Sequence, residues 1–467
     1  MAERGGLQFV QFSAILFLSH HLLLFDKADG YFSLSGRKDD LFDTTRKNGS
    51  LIMALRRRVV ITGLGVLSPI GMNKEELQKN IIAGKSGIKP ITRFDASPYP
   101  CKLAGEIRDF DPLNYISERG KNRTERCTQF ALAATQMAMK DAGVTEKDIT
   151  PEKTATSFGT TIGGVGFLFD QYQNFIKKGP LSVHPYTSSI TYPNALSSHV
   201  AIAWNAQGPS KTFSSACTSS FDAISYGFDL IKTGKADVVL AGGSEALLFP
   251  MFFASISLSR ILSERGQDKG GTPRPFDAQR DGTILSEGAG VLVLEDYHRA
   301  MVRDAKIYAE SIGYGFSCDA YRTRAPHPTA RGISEAMRRA LLSSKINPEK
   351  IDYIQAHGTG TKIGDLLETR AIKEVFGQHA YRVKVSAIKS MLGHLMGASG
   401  AVELCASLMC LSAGMVPPII NYEHRDPHCD LDYVLNVVRK AKVDYFMANC
   451  FGFGGKNGVL ILRNLKS

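Results

Sequence analysis

An α/β architecture with helix-covered sheets is predicted by three features of the 467-residue chain. Short runs rich in valine and isoleucine recur along it, apolar helical patterns fall between them, and glycine pairs mark their ends. The first run, RVVIT at 58–62, leads into Gly63-Leu64-Gly65 and is expected to be a buried strand with a tight exit turn. A dinucleotide-binding loop fits poorly here. The third glycine position holds Ser68, Pro69 follows, and no acid lies about 20 residues after the first glycine. Further buried strands are expected at Val238–Ala241, Gly290–Leu294, Tyr353–Ala356 and Val459–Leu462. Helices are expected at Gln129–Ala142, Ser334–Leu342 and Ala401–Ser412, and turns at Gly242-Gly243 and Gly454-Gly455. RVVITGLG and YAESIGYG (Tyr308–Gly315) echo each other, each a strand-like run ending in Gly-x-Gly. The echo suggests a duplicated unit with its seam near residue 305.

Composition narrows the function classes. A hydrophobic share of 43% and a charged share of 22% suit a globular chain with a sizeable core. The net charge of +11 arises beyond the first 52 residues, which carry six Lys/Arg and six Asp/Glu. A basic surface suits an acidic partner. No long basic run interleaved with aromatics points to nucleic acid. The eight cysteines form no CxxC pair and no metal-site spacing, so they read as reduced thiols in a cytosol-like compartment.

Residues 1–52 stand apart. Their apolar stretch Phe9–Phe25 is interrupted by Gln11, Ser13, Ser19, His20 and His21 and is too short for a membrane span. It lacks the charge and cleavage features of a signal peptide, and Asp39, Asp40 and Asp43 are out of place in a transit peptide. Met53-Ala-Leu-Arg-Arg-Arg before the first strand reads as a natural start, with the upstream segment an extension or a targeting sequence.

The chemistry-bearing residues cluster in four places. Cys217 sits in SSACTSS, followed by Phe221, Ile224, Phe228 and Ile231 at helical spacing and by Gly234 as a terminator. A cysteine at a helix N-terminus has its thiolate favoured by the dipole, although a lone cysteine is more often a small core residue. His357, in AHGTGT, follows a buried strand, where α/β proteins place their chemistry. His394 lies in KSMLGHLMGASGA, five residues after Lys389 and nine before Glu403. Either histidine alone reads better as a satisfied core residue. The glycine-rich NCFGFGGKNG (Asn449–Gly458) can offer N–H donors to an oxyanion or serve as a plain turn.

Cys217 in SSACTSS, His357 in HGTGT, Lys389 and His394 in KSMLGH, and the FGFGG loop, in this order, resemble the beta-ketoacyl-acyl-carrier-protein synthases of the two-histidine type. RPFDAQRDGTILSEGAGVLVLE (Arg274–Glu295), VVITGLGVLSPIG and PP-x-x-N at Pro417–Asn421 add to the likeness, which spans residues 56–464. The resemblance implies the thiolase fold: two similar halves, 53–305 and 306–467, each a five-stranded mixed sheet, stacked with helices in five layers. It implies a homodimer in the cytoplasm and an acyl carrier protein as partner. It further implies decarboxylative condensation of an acyl group on Cys217 with a malonyl thioester. His357 and His394 would stabilise the enolate, supported by Lys389 with Glu403. Cys217 and Phe453 would supply the oxyanion N–H groups, Thr359 and Thr361 would meet the phosphopantetheine arm, and Phe453 would gate the site. No metal and no bound cofactor are expected; the arm arrives on the carrier.

Two departures stand out. Lys456 occupies a place where the family usually has a small polar residue, and Asp-Ala-Tyr-His appears as Asp319-Ala320-Tyr321-Arg322. They suggest a divergent branch serving a specialised lipid or polyketide. The alternatives are a non-catalytic partner subunit of a heterodimer, which an intact Cys217 disfavours, and a cysteine hydrolase, in which a second histidine with an attendant lysine has no task.

Overall fold

The computed structural model describes residues 15–18, 21–24, 57–265 and 271–465. The chain divides into two units, residues 1–56 and 57–467. In the first, Ile15–Leu18 pairs antiparallel with His21–Leu24, so the apolar stretch holds two short strands. The rest of that segment, including the expected start at Met53, lies outside the described residues. Among the described residues, no helix is long and apolar enough to cross a membrane.

In the second unit eleven strands form one sheet. They are β1 (Val59–Leu67), β2 (Thr154–Gly159), β3 (Ser210–Phe213), β4 (Val238–Glu245), β5 (Gly288–Asp296), β6 (Ala309–Cys318), β7 (Tyr353–Gln355), β8 (Lys384–Ser386), β9 (Asp432–Tyr433), β10 (Tyr445–Gly452) and β11 (Lys456–Arg463). The order runs outward from β1 as β1-β5-β4-β2-β3, and outward from β6 as β6-β11-β10-β7-β8, with β9 added at that edge. Each half thus places its first, last, penultimate and then second and third long strands in the same sequence. In both, the first two pairings are antiparallel and the next two parallel. The two first strands join antiparallel, Val59 opposite Ser311 and Ile61 opposite Ala309.

Helices complete five layers. Helix α1 (Arg126–Ala142) covers β1 and β5, while α3 (Arg331–Ser344) covers β6 and β11 and packs beside α4 (Lys362–Phe376). Between the two halves of the sheet lie α2 (Ser219–Lys232), touching β2, β4 and β11, and α5 (Ser399–Ser412), touching β5 and β10. A helix sandwiched this way has no solvent face, and every residue of α5 from Ser399 to Leu411 is buried. In α2 the four expected apolar residues, Phe221, Ile224, Phe228 and Ile231, are all buried, each contributing about 1.5–3 kcal/mol. Gly234 follows the helix with φ +71°, as its terminator role requires.

Two expected turns are strand interiors instead. Gly63-Leu64-Gly65 lies within β1, and Gly242-Gly243 within β4. The reason is close packing. A Cβ at Gly63 would stand 2.2 Å from the Ala138 carbonyl oxygen, and one at Gly65 would stand 1.8 Å from that of Ala134, so α1 could not lie on the strand. At Gly242 a Cβ would meet the Gly290 oxygen of β5 at 2.0 Å. The echo has the same cause: a Cβ at Gly313 would meet Ser344 Oγ at 2.5 Å and one at Gly315 the Ala336 oxygen at 2.2 Å, both on α3. Each half uses Gly-x-Gly on its first strand to seat its outer helix.

Candidate active site

Cys217 stands on a sharp turn between β3 and α2. Ala216 just before it has φ +56°, a conformation that costs a residue with a side chain about 1–2 kcal/mol. The surrounding hydroxyls hold that turn. The Ser215 N–H donates to Ser219 Oγ (2.9 Å), Ser219 Oγ donates to the Ala216 carbonyl (2.6 Å), and Thr218 Oγ1 donates to the Ser215 carbonyl (2.9 Å). The serines therefore do more than leave room. The β2 strand ends against the helix start, where a Cβ on Gly159 would lie 2.3 Å from the Ser219–Ser220 peptide.

The second half brings the histidines to this turn. His394 Nε2 lies 3.1 Å from Cys217 Sγ. Its backbone is pinned to the first half, the N–H donating to the Ile284 carbonyl (2.7 Å) and the carbonyl accepting from the Ser286 N–H (3.0 Å). Its Nδ1 meets Ser399 Oγ, the first residue of α5, at 2.8 Å. The ring of His357 stands edge-on to that of His394, with centroids 5.3 Å apart. The Lys389 ammonium lies 3.3 Å from His357 Nδ1. An ammonium can only donate, so Nδ1 accepts and the ring hydrogen resides on Nε2. Lys389 in turn pairs with Glu403 at 2.7 and 2.9 Å, both side chains buried.

Electrostatics follow from burial. Burial, then the Lys389 charge, pushes both histidines well below the usual imidazole range, so both are neutral at pH 7. Cys217 corrects the expectation of a favoured thiolate. Burial pushes its thiol up to about 11, against the opposing pull of Lys389 and of the Phe453 and Cys217 N–H groups. The N–H dipoles act in the expected sense, but desolvation outweighs them. The ligand-type atoms of Cys217, His357 and His394 all lie within 4.8 Å of one another. That spacing could seat a divalent cation, but the Lys389 ammonium alongside opposes one.

The FGFGG loop joins β10 to β11. Gly454 and Gly455 turn it with φ of +78° and +68°, and the Phe453 N–H acts to lower the Cys217 thiol. The segment from Asp319 braces it. The Asp319 N–H donates to the Gly455 carbonyl (2.8 Å), and the Gly454 N–H donates to the Thr323 carbonyl (2.6 Å). The Asp319 carboxylate accepts from the His327 N–H and from Asn457 Nδ2. Arg322 takes no part in these contacts; its guanidinium lies over the Tyr321 ring, 5.2 Å from the centroid. Replacing the histidine there leaves the brace intact. Cys217, both histidines, Thr359, Thr361 and Phe453 line one cavity of about 460 Å³. Thr359 and Thr361 share a hydroxyl hydrogen bond at 2.9 Å, and Thr361 caps α4 by accepting from the Gly364 N–H.

Two supporting carboxylates were not anticipated. Glu368 accepts from the His357 N–H (2.8 Å), the Gly358 N–H (2.9 Å) and Asn449 Nδ2 (3.0 Å), tying His357 to α4 and β10. Glu245, at the end of β4, accepts from the Thr161 N–H (2.7 Å) and the Gly397 N–H (3.0 Å), fastening the loop after His394 to the first half. The only sequence signal for Glu368 was an acid on a helix soon after a histidine, and Glu245 carried none.

Comparison with known proteins agrees with this geometry. The chain matches the family models "Beta-ketoacyl synthase, N-terminal domain" over residues 56–300 and "Beta-ketoacyl synthase, C-terminal domain" over 308–423. It is 41% identical to 3-oxoacyl-[acyl-carrier-protein] synthase 2 of Synechocystis sp., covering 87% of this chain and 98% of that protein. Among solved structures it resembles the ishigamide ketosynthase/chain length factor, with a TM-score of 0.82 and 37% identity over 88% of this chain and 99% of that one. It also resembles the ketosynthase AntDE in complex with AntF, a type II PKS acyl-carrier protein, with a TM-score of 0.82 and 31% identity over 88% and 100%. With the thiolase fold in both halves and a buried cysteine facing two neutral histidines between them, the chain belongs to the beta-ketoacyl synthase family of condensing acyltransferases.

Proposed function

We propose that the protein is a 3-oxoacyl-[acyl-carrier-protein] synthase that extends a carrier-bound acyl chain by two carbons. The observation that carries this reading is Cys217 Sγ at 3.1 Å from His394 Nε2, with His357 alongside and its hydrogen held on Nε2 by Lys389. A hydrolase would need one histidine as base; here a second one is aimed at the same cavity. In the first step Cys217 sulfur attacks the thioester carbonyl of the incoming acyl carrier. Because the thiol holds its proton at neutral pH, the attack needs an acceptor, and His394 Nε2 is in reach. Ser399 Oγ can accept from or donate to Nδ1, so it supports either ring tautomer. The tetrahedral oxyanion is held by the Cys217 and Phe453 N–H groups, each such donor worth about 3–4 kcal/mol. Collapse expels the phosphopantetheine thiolate, which takes the proton back from His394.

In the second step the malonyl thioester loses carbon dioxide. The electron pair of the broken C–C bond moves into an enolate whose oxygen accepts from the Nε2–H of His357 and, once exchange with solvent has moved the ring hydrogen of His394 from Nδ1 to Nε2 and Ser399 Oγ has turned from acceptor to donor at Nδ1, from the Nε2–H of His394 as well. The enolate carbon attacks the acyl-Cys217 carbonyl, and expulsion of the cysteine thiolate frees the 3-oxoacyl product. Thr359 and Thr361 line the cavity where the phosphopantetheine arm would lie, and Phe453, in the same lining, would gate it. We assign the halves as 53–305 and 306–467. A homodimer through the first half is supported by the exposed apolar side chains of Ile176, Leu181, Tyr192 and Ile202. Eight free cysteines suit a reducing cytoplasm. The test is intact-protein mass spectrometry of residues 53–467 mixed with a panel of acyl-loaded carrier proteins. An acyl adduct absent from Cys217→Ala supports the reading. No adduct with any chain refutes it in favour of a non-catalytic partner subunit.

A further inference from the structure

A row of buried polar side chains joins β7 to α5. Tyr353 and Gln355 stand two residues apart on the strand, and Glu403 and Ser407 four apart on the helix, so each pair shares one face of its element. All four are buried, and none lines the catalytic cavity. Tyr353 Oη lies 3.3 Å from Ser407 Oγ, Ser407 Oγ donates to Gln355 Oε1 (2.9 Å), and Gln355 Nε2 donates to Glu403 Oε2 (3.4 Å). The same carboxylate oxygen accepts from Lys389 Nζ (2.9 Å), which lies 3.3 Å from His357 Nδ1. The row therefore ends on the ring of a catalytic histidine, two residues after Gln355 in the chain.

The direction of each link is set from the Glu403 end. A carboxylate paired with an ammonium only accepts, so the Gln355 amide turns its NH2 to Glu403 and its oxygen to Ser407. The Ser407 hydrogen is spent on that oxygen, so the Tyr353 hydroxyl donates to Ser407. An amide passes no proton along such a row; it can only orient. Glu403 and His357 share one ammonium, so a shift of the carboxylate carries Lys389 with it and changes how Lys389 meets Nδ1. We propose that Gln355 is a positioning residue for the decarboxylation step: by holding Glu403 it sets where the Lys389 ammonium stands, and so keeps the His357 hydrogen on the Nε2 that meets the enolate. Ser407 acts behind it by keeping the amide from turning over. This role rests on the condensing reading.

The test compares two rates in the full chain. One is acylation of Cys217 by the carrier-bound acyl chain that the wild type accepts best; the other is conversion of malonyl carrier protein to acetyl carrier protein, both read by intact mass. Acylation uses Cys217 and His394, and only decarboxylation uses His357, so a merely structural role would lower both. Gln355→Leu is expected to decarboxylate about five- to tenfold more slowly and to acylate within about twofold of wild type, the size of one hydrogen bond to a charged group. Ser407→Ala should lose about two- to threefold in decarboxylation, and the double variant should be no slower than Gln355→Leu, because Ser407 acts through the amide. Gln355→Glu keeps the shape but donates to Glu403 only when protonated. Its decarboxylation relative to wild type should be near normal at about pH 6, where a buried carboxyl beside another holds its proton, and should fall as pH rises. That profile is read within one variant, so it does not depend on how well Gln355→Leu folds. The proposal is overturned if Gln355→Leu decarboxylates at the wild-type rate, if the two rates fall in parallel, if the losses multiply in the double variant, or if Gln355→Glu follows the wild-type pH profile. A wild type that no acyl carrier acylates and that leaves malonyl carrier intact overturns the condensing reading, and this role with it. That outcome is read on the wild type alone and is distinct from a working wild type beside variants that match it.

Discussion

Replacing Lys389 with methionine removes one partner of a fully buried ion pair and leaves Glu403 facing an apolar surface. Breaking such a pair costs about 3–5 kcal/mol, because the surviving charge keeps its desolvation penalty and loses its compensation. For a unit of about 400 residues the unfolding entropy is of order 0.9 kcal/mol per kelvin, so Tm should fall by about 4–6 °C. The loss should depend on pH in a defined direction. Burial already raises the Glu403 carboxyl, with Lys389 opposing, and in Lys389→Met the opposition is gone. The folded state then binds the Glu403 proton more tightly than the unfolded chain does. The stability this confers is full below the unfolded value near 4.5 and is lost as pH rises through the folded value. The deficit relative to wild type should therefore be small at pH 5.5 and large at pH 8.5. Adding Glu403→Gln should restore most of the stability and flatten the pH dependence. Neither variant should recover turnover, since His357 has lost the ammonium that fixes its tautomer. Differential scanning fluorimetry across pH, with turnover measured in parallel, checks all of this. A Tm deficit that is the same at both pH values, or a double variant less stable than the single one, refutes the reasoning.

Alkylation of wild-type Cys217 by iodoacetamide should rise about tenfold per pH unit between pH 7 and 9, since its thiol is pushed up to about 11; a plateau below pH 9 would show a more stable thiolate. Gly455→Ala should cut acylation at least about tenfold, because φ is +68° and its Cβ would lie 2.6 Å from Asp319 Cβ. Gly454→Ala, with no atom within 4 Å, should bear only the backbone strain and keep most of its rate. Glu368→Ala leaves the His357 and Gly358 N–H groups buried without their acceptor, a loss of about 2–4 kcal/mol. It should lower both Tm and the rate of malonyl decarboxylation; normal decarboxylation would show that Glu368 does not position His357.

Local patterns carried part of this picture. The helix after Cys217 was legible because its apolar residues repeat at helical spacing against a core on one side. The duplication was legible as two Gly-x-Gly runs, but its physical cause was not. A glycine needed for close approach and a glycine needed for a turn look alike until the approaching helix is known, so Gly63 and Gly65 were assigned to a turn. His357 and His394 lie 37 residues apart in sequence, and their joint role came from the family likeness rather than from any spacing. Glu245 and Glu368 escaped because most of their partners are main-chain N–H groups, which no residue type marks in a sequence. The raised Cys217 thiol escaped because a helix end can be read from sequence and the depth of burial around it cannot.

The repeated strand order places equivalent loops of the two halves opposite one another, the turn after β3 facing the stretch after β8 where Lys389 and His394 reside. Two identical chains meeting about a symmetry axis could set only like against like there: thiol against thiol, or imidazole against imidazole. Joining the two copies in one polypeptide releases the opposing positions to differ. One side then carries the nucleophile while the other carries the proton donors and the ammonium behind them. The asymmetry that the reaction demands is thus available because the scaffold is symmetric in backbone and covalently single.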